Sequence, residues 1–342
     1  MGLRERTFER LRKSIEGEKT DAHGVFYYYT YPFYHSATNV PLDQYFSNPK
    51  IQMDTQLSVL DRLEGVGNLT PDVGSVAESS SFGAPVRFDA EGFISVHDLG
   101  LEDEDDVAAL QFSGVHGDNY MKVGLETLEY FVAHAPSGYQ VNPLNVMGPF
   151  TVAAQLCGPQ NACVATLEDP DMLEMLLDTV IDAEVQYMKE MEKILGHLDH
   201  ILIADDISAF LSTNGFKEFV ADTYQRLFAE FPNTERWLHN DANAKHLAPF
   251  IAGCGFKAWQ YGPCMTTQEA SELTKNEITL FGGFKPLELQ KLSLEETIED
   301  TNKLIDSFAG NSRQVISTQG SVNQVSPEKL LAILRVADER KI

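Results

Sequence analysis

From about residue 140 onward the chain alternates short apolar runs with longer helical patterns, and this order limits the available folds more than any other feature. The apolar runs fall at 138–142, 200–204, 236–239, 256–260, 278–282 and 314–318. Helical patterns occupy the stretches near 150–163, 169–196, 215–230, 243–253, 266–275, 294–308 and 326–340. Strands separated by helices are joined by crossovers, so they lie parallel in a sheet covered by helices. Six such units, with further strands drawn from the first 130 residues, predict a closed (β/α)8 TIM barrel. An open nucleotide-binding sheet is disfavoured because its glycine-rich fingerprint is missing. Without a repeat or a long linker, one barrel domain over 1–342 is expected, with an N-terminal helical and aromatic extension at about 1–50.

A chain of 342 residues that is 43% hydrophobic can bury a large core without cross-links. Its four cysteines, Cys157, Cys163, Cys254 and Cys264, lack a C-x-x-C spacing, and no apolar run approaches the length of a membrane span. A reducing, cytoplasmic setting is therefore expected, with no membrane partner. The formal charge of −25 repels phosphate backbones, so nucleic acid is not an expected partner either. The first 20 residues have the apolar spacing of an amphipathic helix. Dense aromatics at 25–34 read either as a packed strand and turn or as a pocket wall. The acidic run Glu102 to Asp106 reads as a solvated helix start or loop.

Barrel chemistry gathers where strands end, and three strand ends here are polar. The segment W-L-H-N-D-A-N at 237–243 places His239 and Asp241 on one face of a strand, where they could share a metal ion or a substrate group. Asn243 follows, and His246 ranks below His239 as a ligand. The second end is Asp205-Asp206, where a carboxylate is costly to desolvate without a cation, a donor or water; capping or backbone bonding would also satisfy it. The third is the loop at 318–324, which contains Gln319, Ser321 and Asn323 as candidate cofactor or substrate contacts, and precedes the helix-start pair Ser326-Pro327. Cys264 follows another strand and is either a thiolate supplement to the His239 site or an inert buried thiol.

Several of these segments resemble the uroporphyrinogen decarboxylase superfamily in order and spacing. They are Gly148-Pro149-Phe150-Thr151-Val152-Ala153-Ala154, Asp205-Asp206, Leu238-His239-Asn240-Asp241-Ala242-Asn243, Gly282-Gly283 and the stretch from Gln319 to Leu330. The resemblance covers nearly the whole chain and implies a (β/α)8 barrel. It divides between porphyrinogen decarboxylases, which carry an N-terminal arginine-rich motif, and methyltransferases that use a corrinoid or a thiol such as coenzyme M. Residues 18–23 read E-K-T-D-A-H, with no arginine cluster after Arg12, so the resemblance runs to the methyltransferases. Their His-x-Cys-x-Asn strand end and a later loop cysteine hold zinc. This chain keeps His239 and Asn243 but has Asp241 in place of the first cysteine, and Gly320-Ser321 in the late loop.

A His/Asp set is harder than a thiolate set and suits an oxygen-bearing methyl donor. The resemblance thus implies a methyltransferase that moves a methyl group from a small donor, an O-methyl ether before a methylamine, to a corrinoid carried by a separate protein. The expected metal is zinc, on His239 and Asp241 with Cys264 as supplement; Asp205, Asp206, His239 and Asp241 are the expected catalytic groups. A metal-free lyase using Asp205 and Asp206 as acid and base, or a non-catalytic binding barrel, are the alternatives. The assembly stays open between monomer and homodimer.

Overall fold

The computed structural model describes residues 1–342, an α/β chain that divides into two compact units. The central unit comprises Leu42–Lys50 and Leu69–Arg236; the terminal unit comprises Met1–Pro41, Ile51–Asn68 and Trp237–Ile342. No helix is long and apolar enough to cross a membrane.

In the central unit, β1 (Val86–Phe88) and β2 (Ile94–Val96) form a short antiparallel hairpin. Its turn is organised by Asp89, whose carboxylate accepts from the amides of Glu91 at 2.8 Å and Phe93 at 2.9 Å. β3 (Val146–Met147) pairs in parallel with β4 (His200–Ala204), with Val146 opposite Ile203. The expected strand at 138–142 is reduced to one parallel bridge, Val141 to Leu69. Pro136 and Tyr139 close a turn just before it, and Pro143 has no amide to lend to a ladder, so regular pairing starts only at Val146. The single helix expected near 150–163 is two helices, Pro149–Cys157 and Pro159–Glu168. Gly158, at φ 92°, and Pro159 break it, since the first leaves helical geometry and the second has no amide hydrogen. The longest helix, Pro170–Leu195, starts at the Asp169 cap and ends at Gly196 with φ 82°. Its buried stripe runs from Met172 through Leu176 and Val180 to Tyr187 and Met191, at helical spacing. The acidic run does open a helix, Glu104–Ala109, with Asp103 capping the amide of Asp106 at 3.0 Å.

The terminal unit holds the parallel strands β5 (Glu235–Asn240), which starts at the unit boundary, β6 (Ala258–Tyr261), β7 (Thr279–Phe284) and β8 (Gln314–Thr318). Register pairs Trp237 with Ala258, Ala258 with Thr279, and Leu280 with Gln314. Beyond β8 the ladder continues for one bridge to Val25: the Ile316 amide donates to Gly24 O at 2.9 Å and the Phe26 amide to Ile316 O at 3.0 Å. β6 and β8 are buried along their whole length, as expected of parallel strands covered on both faces. Phe26, Trp237 and Phe281 form a ring cluster, with Phe26 stacked on Phe281 at 4.4 Å and Trp237 edge-on to both. Leu11 and Ile15 of the helix Leu3–Glu16 pack against the same core as Phe281 and Val315. That helix is pinned by buried Arg10, which bonds Asp21 at 2.9 Å and Asp338 at 2.6 Å. The helix expected at 243–253 shortens to Ala248–Ile251 plus a 3-10 turn, because Pro249 fits only in a first turn. Ser326 and Pro327 do start a helix, Pro327–Glu339.

One buried group in the central unit has a pH consequence. Both carboxyl oxygens of Glu184 and the hydroxyl of Tyr187, on the Pro170–Leu195 helix, are buried without a hydrogen-bond partner. Burial raises the Glu184 pKa well above its ordinary value, and the charges of Glu78 and Asp205 raise it further. Burial also pushes Glu78 up to about 7, although Glu78 accepts from the Met147 amide at 3.0 Å. A carboxyl with a raised folded-state pKa costs nothing while both states are protonated. It destabilises the fold as pH climbs from the unfolded value to the folded one, for Glu78 from 4.5 to about 7. Glu184→Gln is therefore expected to melt with the native chain at pH ~4 and a few degrees above it at pH ~8. Thermal denaturation at the two pH values checks this, and equal melting at both counts against an ionisable, destabilising Glu184.

Candidate functional site

Strand alternation explains the composition of the site in the terminal unit. Trp237, His239 and Asp241 project to one side of β5 and its extension. Trp237 enters the ring cluster, His239 follows at 5% exposure, and the Asp241 side chain emerges at 43%. The aromatic stretch alternates in the same way. Phe26 joins the ring cluster and Tyr28 packs beside His239 with ring centroids 4.7 Å apart. Tyr27 points the other way, to the Leu330 carbonyl at 3.1 Å, and Tyr29 stacks on Phe33. Tyr28 thus borders His239, while Phe26 and Tyr27 pack into the interior.

The histidine is oriented by a residue that the sequence reading did not select. Gln260 lies opposite His239 in the β5–β6 register and is fully buried. Its Nε2 donates to the carbonyls of Thr318 at 3.0 Å and Gly320 at 2.9 Å, with Ser317 Oγ at 3.3 Å. Two carbonyl acceptors fix the amide nitrogen on that side, so Oε1 accepts from His239 Nδ1 at 2.7 Å. Nδ1 then carries the imidazole proton and Nε2 carries the lone pair. Nε2 faces Asp241 Oδ2 at 3.9 Å. An ion about 2.0–2.2 Å from each atom spans that separation, so the pair fits a zinc-type ion as two of its ligands.

Two glycines let the neighbouring loops close on Asp241. A Cβ on Gly320, which has φ 122°, would come within 2.7 Å of Asp241 Oδ2, and one on Gly262 within 2.1 Å of the Asp241 carbonyl. Gln319 works on the loops: its Nε2 donates to Gly262 O at 3.1 Å and Met265 O at 2.7 Å, tying the segment after β8 to the one after β6. Ser321 is half-buried, and Asn323 has a buried Oδ1 without a partner while its carbonyl accepts from Gln290 at 2.8 Å. Asn243 and His246 are exposed in the turn after β5. Cys264 is half-buried, with its sulfur 3.7 Å from the carbonyl of Ala242, the residue after Asp241.

In the central unit the two carboxylates after β4 have different surroundings, as the chain turns from the strand into the 3-10 turn at Asp206. Asp205 is fully buried and accepts from Thr151 Oγ1 at 2.6 Å and from the Tyr224 hydroxyl. Burial pushes its pKa up to about 6, and the two hydroxyls oppose that rise. Gly148 permits the arrangement, since a Cβ there would lie 2.4 Å from Asp205 Cγ. The Gly148-Pro149-Phe150-Thr151 run thereby sets Thr151, in the first turn of Pro149–Cys157, over the Asp205 carboxylate. Asp206 is half-buried, and its carbonyl accepts from Ala209 at 3.2 Å to open the 3-10 turn Ile207–Phe210.

Comparison with known proteins agrees with the motifs. The family model described as Uroporphyrinogen decarboxylase (URO-D) matches residues 6–340. A Methylated-thiol--coenzyme M methyltransferase of Methanosarcina mazei is 22% identical over 195 residues, 57% of this chain and 52% of that protein, so the match spans about half the length of the curated relative. The solved structure of a methyltransferase from Methanosarcina mazei superposes with a TM-score of 0.82 at 19% identity, covering 97% of this chain and 98% of that one. A B12-independent methionine synthase from Shewanella sp. W3-18-1, in complex with selenomethionine, gives 0.57 at 12% identity, covering 87% and 88%. At these identities the structures establish a shared fold. Within the matched family, the likeness runs to the methyltransferase branch.

The imidazole tautomer is directly testable. Nitrogen-15 NMR of selectively labelled histidine is expected to show His239 protonated on Nδ1 in the native chain. In Gln260→Leu, where no carbonyl-type acceptor remains, the resonance should move toward the Nε2-protonated form. An unchanged tautomer in that variant would show that Gln260 does not set it. Removing the amide also takes a donor from the Thr318 carbonyl, which should lower stability by about 1–3 kcal/mol.

Proposed function

The chain belongs to the uroporphyrinogen decarboxylase family, and on that premise we propose that it is a methyltransferase moving a methyl group from a small methylated donor to a corrinoid carried by a separate protein. The observation that carries the reading is the oriented pair at the end of β5. Gln260 directs the His239 lone pair toward Asp241, an arrangement suited to binding a metal ion or a substrate heteroatom. Asp206, which follows β4, is a proposed catalytic carboxylate, because barrel chemistry collects at strand ends. Cys264 is a supplementary ligand in the same proposal.

The donor is proposed from the ligand types. The curated relative is named for methylated thiols and coenzyme M. Here the imidazole of the family pattern is kept and the Asp241 carboxylate stands in place of its first thiolate, and this harder set favours an oxygen donor over sulfur, with an O-methyl ether ahead of a methylamine. A zinc ion bound there would lower the energy of the leaving oxygen as a Lewis acid. His239 would hold its side of the site through one fixed nitrogen. Tyr28 would flank the donor, and its ring would exclude water beside the imidazole. Ser321, Asn323 and Asn243 would contact donor or cofactor, while Gln319 keeps the loop shape on which those contacts depend. Transfer would break the donor's carbon–oxygen bond in line, with a reduced corrinoid on the partner protein as methyl acceptor, and the departing alkoxide would take a proton from water through Asp206. Asp205, whose oxygens already receive Thr151 and Tyr224, would support Asp206 by holding the end of β4.

Metal analysis of the purified, untagged protein is expected to find zinc at about one per chain, and His239→Ala or Asp241→Ala should lose it while remaining folded. A methylated ether should be consumed only when a reduced corrinoid protein is supplied, and the two variants should lose that activity by at least about 100-fold. Full zinc in both variants, demethylation without an acceptor, or efficient porphyrinogen decarboxylation would overturn the reading.

A further inference from the structure

A second concave site lies wholly within the central unit. It is a cleft of about 410 Å³ lined by Asp43 and Phe46 of the helix Leu42–Ser47, Phe88 of β1, and Tyr120, Val123 and Glu126 of the helix Tyr120–His134. Helical spacing explains the convergence. Asp43 and Phe46 are three residues apart, as are Tyr120 and Val123, so each pair shares one face. The lining is mainly apolar, and its rings are set at an angle: Phe46 and Phe88 have centroids 6.0 Å apart and planes tilted by 55°. Phe88 is 45% exposed, a large apolar surface left to water at the edge of a cavity.

Charge selects among occupants. The titratable side chains in the lining are Asp43, Glu126 and Tyr120, and the two carboxylates are exposed at its edge. Lys122 approaches Glu126 at 3.9 Å, a loose pair between exposed groups that leaves the carboxylate accessible. Aromatic faces carry negative potential at their centres, and carboxylates beside them add to it, so angled rings with flanking acids bind a cation that is itself partly apolar. A carboxylated or phosphorylated ligand would meet like charge on Asp43 and Glu126, and a neutral apolar ligand would gain nothing from them.

We propose that this cleft binds a small organic ammonium ion, with its alkyl groups against Phe46, Phe88 and Tyr120 and its charge beside Asp43 and Glu126. The site is independent of the chemistry assigned to His239. Calorimetric titration of the full chain with choline, alongside its neutral isostere carrying a tert-butyl group in place of trimethylammonium, tests it. Choline is expected to saturate one site and to bind about tenfold more tightly than the isostere. Phe88→Ala should weaken choline binding about fivefold or more, and the Asp43→Asn, Glu126→Gln double variant should remove the preference for the charged ligand. These side chains are exposed, so the variants are expected to fold. No saturable choline binding, equal affinity for both ligands, or choline binding unchanged in the variants overturns the proposal, the last because it places the ion elsewhere.

Discussion

One buried amide holds the candidate site together. Gln260 sits in the middle of a strand with no solvent contact, so each of its polar atoms needs a partner inside the protein. It finds them on three segments: the imidazole of β5, the hydroxyl and carbonyl at the end of β8, and the Gly320 carbonyl of the following loop. The network fixes relative positions as well as a tautomer. With both carbonyls bonded to Nε2, a flipped amide would set its oxygen against two carbonyl oxygens in a low-dielectric interior, where that cost is largest. The orientation of His239 toward Asp241 follows from bonds that never touch its Nε2.

Asp205 plays a comparable part in the central unit, by different chemistry. It brings a carboxylate into a fully buried position and satisfies it with two hydroxyls, from Thr151 and Tyr224, without a counter-charge. Burial and hydrogen bonding pull its pKa in opposite directions, and burial wins. The same unit buries Glu78 and Glu184, and burial raises the pKa of both carboxyl groups. That acidity is distinct from the exposed charge that dominates the formal total of −25. The exposed charges govern solubility and the repulsion of polyanions, while the buried ones couple the fold to pH.

Glycine is used where backbones must approach side chains. Gly148 admits Asp205, and Gly262 and Gly320 admit Asp241, each at a distance where a Cβ would collide. Family glycines at strand ends thus have a steric meaning in this chain: they shape the walls around the two carboxylates. Gly320 is the residue that lets the loop after β8 reach Asp241.

The sequence by itself determined the parallel α/β order, because apolar runs and helical periodicity are local signals; 200–204 and 314–318 are strands within the expected bounds, and Pro170–Leu195 fills the helix expected at 169–196. It also determined that His239 and Asp241 share a side, since strand alternation needs no distant partner. Local breakers overrode periodicity where Pro143, Gly158-Pro159 and Pro249 stand, and there the expected spans shrank or split. Tertiary structure alone decided which polar residues are committed to holding the site. Gln260 reads locally as one polar residue in an apolar strand, yet its partners lie 21 to 60 positions away. Tyr28 reaches His239 across more than 200 residues of chain, and Thr151 and Tyr224 meet at Asp205 from two different helices. Those pairings are set by strand register and helix packing, which bring distant residues into contact in ways that no local pattern of residue types encodes.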